Sequence, residues 1–346
     1  MLFNTKKTKT TIVLLLSFSV PFFLVFSANA IDEGSWVTKA PMPSQLGGSV
    51  RAGVVNGKIY VMGNSVNFEY DPSMDVWVEK TSMPTSRDSF GLAFYQNKIY
   101  VIGGSQWTQE DGVIYFCTNE VYDPLTNTWE NKEPMPTNRT GLWGSTNAVN
   151  GKIHIIVDDI HDIYTIATDS WTTGTPMPIP QASSRFSSTV FENKIYILGT
   201  DATQVYDSES ETWSLGAISP IGAYQTSACA TTGVMALKRI YLFGGEEILF
   251  QSTNITQVYD PINDTWTLGA PMLTARTGPD CAVVNDAIYV LGGMSGRLAY
   301  ELVNEQYLPI GYIPEFPSWV TILPLLITVI VILIIYKQRL HAISSA

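Results

Sequence analysis

The chain has 346 residues, 45% of them apolar and only 15% charged, with a net charge of −11. That is ample material for a large core. The acid excess argues against nucleic acid as a partner, because phosphate binding needs clustered Lys and Arg and no basic run lies between the chain's two ends. Residues 1–30 read as a targeting segment rather than as part of a fold. Lys6, Lys7 and Lys9 precede an apolar run from Thr11 to Phe26, and Ala28-Asn29-Ala30 follows. Charged, apolar, small is the order of a secretory signal peptide, so the mature chain is expected to begin near Ile31.

From Trp36 onward one unit recurs, and its clearest copy runs from Arg87 to Pro136. Ile99-Tyr100 leads into the pair Gly103-Gly104. Tyr122-Asp123-Pro124 is followed by Trp129, and Trp129 by Met135 between two prolines. The seven-residue step from Tyr to Trp repeats at Tyr70/Trp77, Tyr164/Trp171, Tyr206/Trp213 and Tyr259/Trp266. Successive Trp residues stand 41, 52, 42, 42 and 53 apart. Each unit contains four short β-rich runs separated by turn chemistry such as Asn56-Gly57 and Asp71-Pro72. A repeat of this length, with Gly pairs and periodic aromatics, marks a propeller blade.

These residues resemble the kelch repeat in six copies between about Arg51 and Pro309. The first fragment, Trp36 to Pro43, is a lone fourth strand, and the last unit stops at Tyr307 without its Trp strand. The two fragments are complementary. The expected fold is therefore all-β: a six-bladed kelch β-propeller over residues 31–310, closed by an N-terminal strand that completes the last blade and removes open sheet edges. Blade 3 departs most, with His154 in place of Tyr and Val157-Asp158 in place of the Gly pair. Cys229 and Cys281 fall in first strands of adjacent blades. A bridge between them is conceivable, but two buried thiols are expected, with Cys117 left over from an odd set.

The C-terminal part divides into a linker, 311–318, an apolar run Trp319 to Tyr336, and a tail, 337–346. Eighteen residues of helix span about 27 Å, near the ~30 Å hydrocarbon core. Lys337 and Arg339 follow directly, so the expected orientation is propeller outside and tail inside. The stretch Ile313-Pro314-Glu315-Phe316-Pro317-Ser318 resembles the archaeal PEF-type sorting tail. That resemblance implies processing and attachment to a lipid; a plain transmembrane anchor stays open beside it. Between the two ends, 15 Lys and Arg face 30 Asp and Glu, a balance of −15.

Residues that repeat in every blade serve packing, so function is expected where copies differ. From the first Gly position to the next strand's Tyr the steps are 7, 19, 7, 7, 15 and 15 residues. Blades 2, 5 and 6 thus carry long loops between second and third strands, expected to form a raised wall flanking blade 1. Trp107, Tyr115, Phe250, Arg297 and Tyr300 in those loops are candidate ligand contacts. Arg87, Arg139 and Arg276 each follow the Met position by four. Resemblance to kelch proteins that bind acidic peptides places them at the funnel mouth, whereas Arg51 and Arg185 are out of register. Asn138, Asn254 and Asn263 begin glycosylation acceptor triplets.

No metal-binding Cys pair, phosphate loop, nucleophile elbow or zinc-protease motif occurs, so no cofactor or catalytic group is assigned. His154 and His161, with Asp158, Asp159 and Asp162, are expected to form a solvated loop rather than a metal site. The expected function is a non-catalytic, surface-anchored module binding an extracellular protein or glycan. An exported sugar-active funnel enzyme of the mutarotase or epimerase kind, also seen on kelch-like folds, is the alternative.

Overall fold

A computed structural model describes residues 34–46, 50–182, 185–199, 202–247, 251–296, 299–313, 327–335 and 337. The segment 1–30 expected to be a signal peptide, the linker residues 314–318, residues 319–326 and 336 of the expected membrane span and the tail from 338 lie outside the described residues, as do Phe250 and Arg297. Residues 327–335 are helical, and among the described residues no helix is long and apolar enough to cross a membrane.

Six four-stranded antiparallel sheets form the fold. Blade 1 comprises β2 (Arg51–Val55), β3 (Lys58–Gly63), β4 (Val66–Asp71) and β5 (Val76–Glu79). Blade 2 comprises β6 (Gly91–Tyr95), β7 (Lys98–Ile102), β10 (Asn119–Asp123) and β11 (Thr128–Lys132). Blades 3, 4 and 5 are unbroken meanders that begin with β12 (Thr146–Val149), β16 (Phe186–Phe191) and β20 (Ser227–Ala230). Blade 6 joins β24 (Asp280–Val284), β25 (Ala287–Leu291) and β28 (Asn304–Leu308) to β1 (Ser35–Thr38), with Trp36 opposite Tyr307. The six innermost strands run side by side around a channel, and β24 lies next to β2, so the ring is closed.

The repeated residues explain why the sheets stack. In every blade the Tyr and Trp lie directly opposite each other across the two outer strands, with ring centroids 4.7–5.1 Å apart. Such a pair is worth about 1 kcal/mol beyond the area it buries. Each Trp indole N–H then donates to a carbonyl four residues beyond the preceding blade's Trp. Trp77 reaches Ala40, Trp129 reaches Thr81, and Trp36 reaches Ala270 across the closure. The residue two before each Trp has positive φ, as at Asp75, Asn127 and Asp264. At the seam, where blade 6 takes its outer strand from the other end of the chain, that position is Gly34, at φ 82°. A Cβ there would strike the Tyr307 ring.

The innermost strands of blades 5 and 6 bear on one correction. Cys229 and Cys281 form a disulfide, with Cα atoms 6.2 Å apart. The expectation of two buried thiols was right about burial and wrong about bonding. Neighbouring innermost strands bring the two Cβ atoms within the window a bridge needs, which spacing along the chain does not reveal.

The candidate binding face and the channel mouth

Connections between blades and loops between second and third strands share one face, here the loop face. The tight turns joining strands 1–2 and 3–4 occupy the opposite, turn face. On the loop face, blades 1 and 3 pass from second to third strand in tight turns. In blade 2 the extra residues fold into a hairpin, β8 (Ser105–Thr108) against β9 (Gly112–Tyr115). Its base is pinned by backbone bonds between Ser105 and Asp88 and by Ser105 Oγ to Thr140 Oγ1 at 2.8 Å. The Gly pair beneath it sits at φ 63° and 100°. A Cβ on Gly104 would come within 2.7 Å of the Asp88 carbonyl oxygen, so the hairpin leaves the blade only through glycine.

Alternation along the hairpin puts Trp107, Val113 and Tyr115 on one side. Trp107 is 68% exposed and Tyr115 49%. In blade 6 a shorter hairpin pairs β26 (Met294–Ser295) with β27 (Ala299–Tyr300), and Tyr300 is half-buried there. The blade 5 loop is tied to it: Ser252 Oγ donates to the Met294 carbonyl at 3.0 Å. The described parts of the long loops of blades 2, 5 and 6 are therefore tied into this face by hydrogen bonds. Sequence reasoning placed them by length alone.

The arginines divide sharply. Arg276 has no exposed surface. Its guanidinium donates to Glu305 Oε2 at 2.7 Å and to the Gly292 carbonyl at 2.9 Å, inside its own blade. Arg87 is equally buried, donating to Glu120 Oε2 at 2.8 Å, to the Val101 carbonyl at 3.0 Å and to Thr118 Oγ1. Burial pulls the Arg87 pKa down to about 10 against the opposing charge of Glu120. Arg139 holds the equivalent place in blade 3, bonded to Asp162 Oδ2 at 2.9 Å, and keeps some exposure. Arg87 and Arg276 are thereby removed from the ligand-facing set. Four residues past the Met is a core position whose side chain turns into the blade.

Arg51 is the side chain that faces the mouth. With Val50, Trp143, Phe186, Gln225 and Met294 it lines a cavity of 50 Å³ where the channel opens on the loop face. The channel below, 290 Å³, is walled by the innermost strands. Among the described residues Arg51 finds no acceptor nearer than Asp280 Oδ2 at 3.5 Å, and its buried Nε is unpartnered. Asp280 is by contrast well supplied. It accepts from the Ala52 N–H at 2.7 Å, the Cys281 N–H at 2.9 Å and Ser227 Oγ at 3.1 Å. Arg51 and Asp280 are also the charged residues of the six innermost strands. Since first strands line the channel in any propeller, that pattern could have been read from the sequence. Arg185 stacks at 5.6 Å over the Tyr224 ring on the same face.

The histidines are neither a metal site nor a solvated loop. His154 and His161 are both buried, with His154 Nδ1 and His161 Nε2 2.9 Å apart and His161 Nδ1 2.8 Å from the Thr175 carbonyl. That carbonyl can only accept, so His161 Nδ1 carries hydrogen, its Nε2 accepts, and His154 donates. His161 thus does what Asn67, Asn119 and Asn304 do in blades 1, 2 and 6, each donating to the corresponding carbonyl. Burial pushes both histidines down, His154 to about 3. No cluster able to hold a metal ion occurs among the described residues. The glycosylation candidates Asn138, Asn254 and Asn263 are all exposed; Asn254 Nδ2 donates to the Met272 carbonyl at 3.2 Å and Asn263 Nδ2 to Asp260 Oδ2 at 2.8 Å.

Six closed four-stranded blades around a channel define a β-propeller. The comparisons say which kind. The Kelch motif model matches residues 86–136, which include the four strands of blade 2. Kelch repeat and BTB domain-containing protein 12 of Homo sapiens is 31% identical over 149 residues, 36% of this chain and 24% of that protein. Kelch-like protein 15 of Danio rerio is 26% identical over 233 residues, 66% of this chain and 33% of that one. The chain thus matches between 24% and 33% of the length of these two relatives. The solved structure of YjhT superposes with a TM-score of 0.65 over 76% of this chain and 95% of that one, at 15% identity, a likeness of fold alone. The chain is a kelch-repeat β-propeller.

Proposed function

We propose that this propeller is a non-catalytic binding module held at the cell surface, taking an extracellular protein or a glycan on its loop face. The observation that carries the reading is the blade 2 hairpin, which holds Trp107, Val113 and Tyr115 clear of the body on a pinned base. Large aromatics presented on rigid elements are what binding hot spots are made of. Tyr300, the under-coordinated Arg51 and the partly exposed Arg139 extend the surface around the mouth. Arg297 and Phe250 belong to the same loops by sequence. The disulfide supports an oxidising, extracytoplasmic location, in keeping with a signal peptide, a C-terminal anchor and glycans at Asn138, Asn254 or Asn263. The test is a pull-down and glycan-array screen with the full chain. A saturable partner whose binding falls on Trp107→Ala supports the reading, and binding indifferent to that change removes it.

Arg51 beside Asp280 favours a second reading, a funnel enzyme acting on a sugar. Against it, Asp280 already accepts several internal hydrogen bonds, leaving little capacity to take a proton from a substrate. Anomer exchange followed by NMR, abolished by Asp280→Asn, would establish the enzyme.

A further inference from the structure

The turn face is asymmetric in a way that neither the repeat nor the loop-face reading explains. In blade 2 the turn between strands 3 and 4 ends on Leu125, which is 92% exposed. Met74 occupies the same turn in blade 1 and Ile262 in blade 5. Blade 5 adds Val234 and Leu237 on its long 1–2 loop, and blade 6 adds Ile313. All are more than half exposed. Blades 5, 6, 1 and 2 are consecutive around the ring, so these six side chains form an arc on one half of the face. On the other half the matching turns carry Ala167 and Thr168 in blade 3 and Glu209 and Ser210 in blade 4.

The chain leaves the propeller inside this arc. β28 ends on the turn face, and the Ile313 N–H donates to the Met235 carbonyl at 2.8 Å, between Val234 and Leu237. The loop holding that carbonyl is fixed in turn by Asp286, whose carboxylate accepts the N–H groups of Thr232, Val234, Met235 and Ala236 at 2.5–3.1 Å. Five residues, 314–318, separate Ile313 from the apolar run beginning at Trp319. Even fully extended, they keep Ile313 within about 20 Å of its start. Of the carboxylates in these turns, Asp71 pairs with Lys58, Asp123 with Lys98 and Asp260 with Arg239, while Asp75 and Asp264 accept hydrogen bonds from the Tyr70 and Tyr259 hydroxyls.

We propose that this arc rests in the headgroup layer of the lipid bilayer that carries the C-terminal helix, tilting the propeller so that blades 3 and 4 stand away from the membrane. Exposed apolar side chains rimmed by satisfied polar groups suit an interfacial contact. The proposal rests on the anchor reading above, and its test separates the two. Full-length protein lacking the half-buried thiol (Cys117→Ser) is reconstituted in vesicles containing lipids with a headgroup-level quencher. A polarity-sensitive fluorophore is placed on Leu125→Cys, Ile262→Cys, Ser210→Cys or Ile332→Cys. The expected result is at least twofold stronger quenching at 125 and 262 than at 210. Equal quenching at 125, 262 and 210, with 332 protected in lipid, overturns the tilted contact and leaves the anchor standing. A label at 332 that reports water overturns anchor and contact together. Blue-shifted emission at 125 without lipid quenching assigns the arc to a second copy of the chain and overturns the bilayer contact.

Discussion

Blade 6 buries Arg276 against Glu305, whereas blade 1 places Leu46 and Phe68 at the same two repeat positions, equally buried. Blades 2 and 3 follow blade 6, with Arg87–Glu120 and Arg139–Asp162. Blade 4 substitutes an amide, Gln204, which bonds the Ile179 backbone in both directions. The same cavity is filled by an ion pair, an amide or hydrocarbon, and the two positions change together. Arg87 and Arg276, in repeat register, therefore belong to the cores of their blades, while Arg139 pairs within its blade and keeps some exposure. Arg51, outside the register, is short of acceptors among the described residues and turned to the channel.

That contrast is broken most forcefully from one side of the pair. Glu305→Ala leaves a buried guanidinium uncompensated and is expected to cost about 3–5 kcal/mol, measured by chemical denaturation. Importing the blade 1 solution, Arg276→Leu with Glu305→Phe, is expected to recover most of that loss. A double variant as unstable as the single one would show that the two positions do not form a unit. Next in size is the bridge between blades 5 and 6. Cys229→Ser is expected to lose about 2–4 kcal/mol, because the bond closes a loop 52 residues long. Reduction of the wild type should lower the denaturation midpoint to match.

The histidine pair gives a pH-dependent test. Burial holds both imidazoles neutral, with folded values below the ordinary 6.5. The unfolded chain therefore binds protons that the folded one refuses. Their contribution is intact above pH 6.5 and is lost as pH falls toward His154's folded value of about 3, by at most about 1.4 kcal/mol per pH unit for each histidine. His154→Tyr with His161→Asn, the residues of blades 1 and 2, should flatten that part of the stability profile. An unchanged acid limb would mean the pair titrates as freely in the folded chain as in the unfolded one.

Most of the scaffold was legible in the sequence, because a propeller repeats its core. Tyr, Trp, Met and the Gly pair announce blade number, and the missing strand at one end matches the surplus strand at the other. Loop lengths announced the long blade 2 loop for the same reason, since residues beyond the repeat must leave the sheet, but not that it folds into a hairpin. What failed was direction. Spacing located Arg87 and Arg276 at blade starts but not which way their side chains turn, and it located Cys229 and Cys281 on neighbouring strands but not that their Cβ atoms converge. His161 misled because it is a substitution for asparagine, and its acidic neighbours imitated a metal-binding or solvated set. The apolar arc on the turn face escaped because its members stand singly in separate turns.

The smallest expected effect on stability belongs to the side chain with the largest expected effect on function. Trp107→Ala is expected to change the unfolding free energy by less than about 0.5 kcal/mol, as surface changes usually do, while Arg51→Ala, at a mostly buried side chain beside Asp280, is expected to cost more. The decisive measurement is the affinity of the full-length wild type and these two variants for a partner captured by the screen. A fall of about tenfold or more in each variant, with the folded state unaltered, is the outcome expected of a loop-face binding module. Undiminished affinity in both, or chemical conversion of the captured ligand, would contradict it.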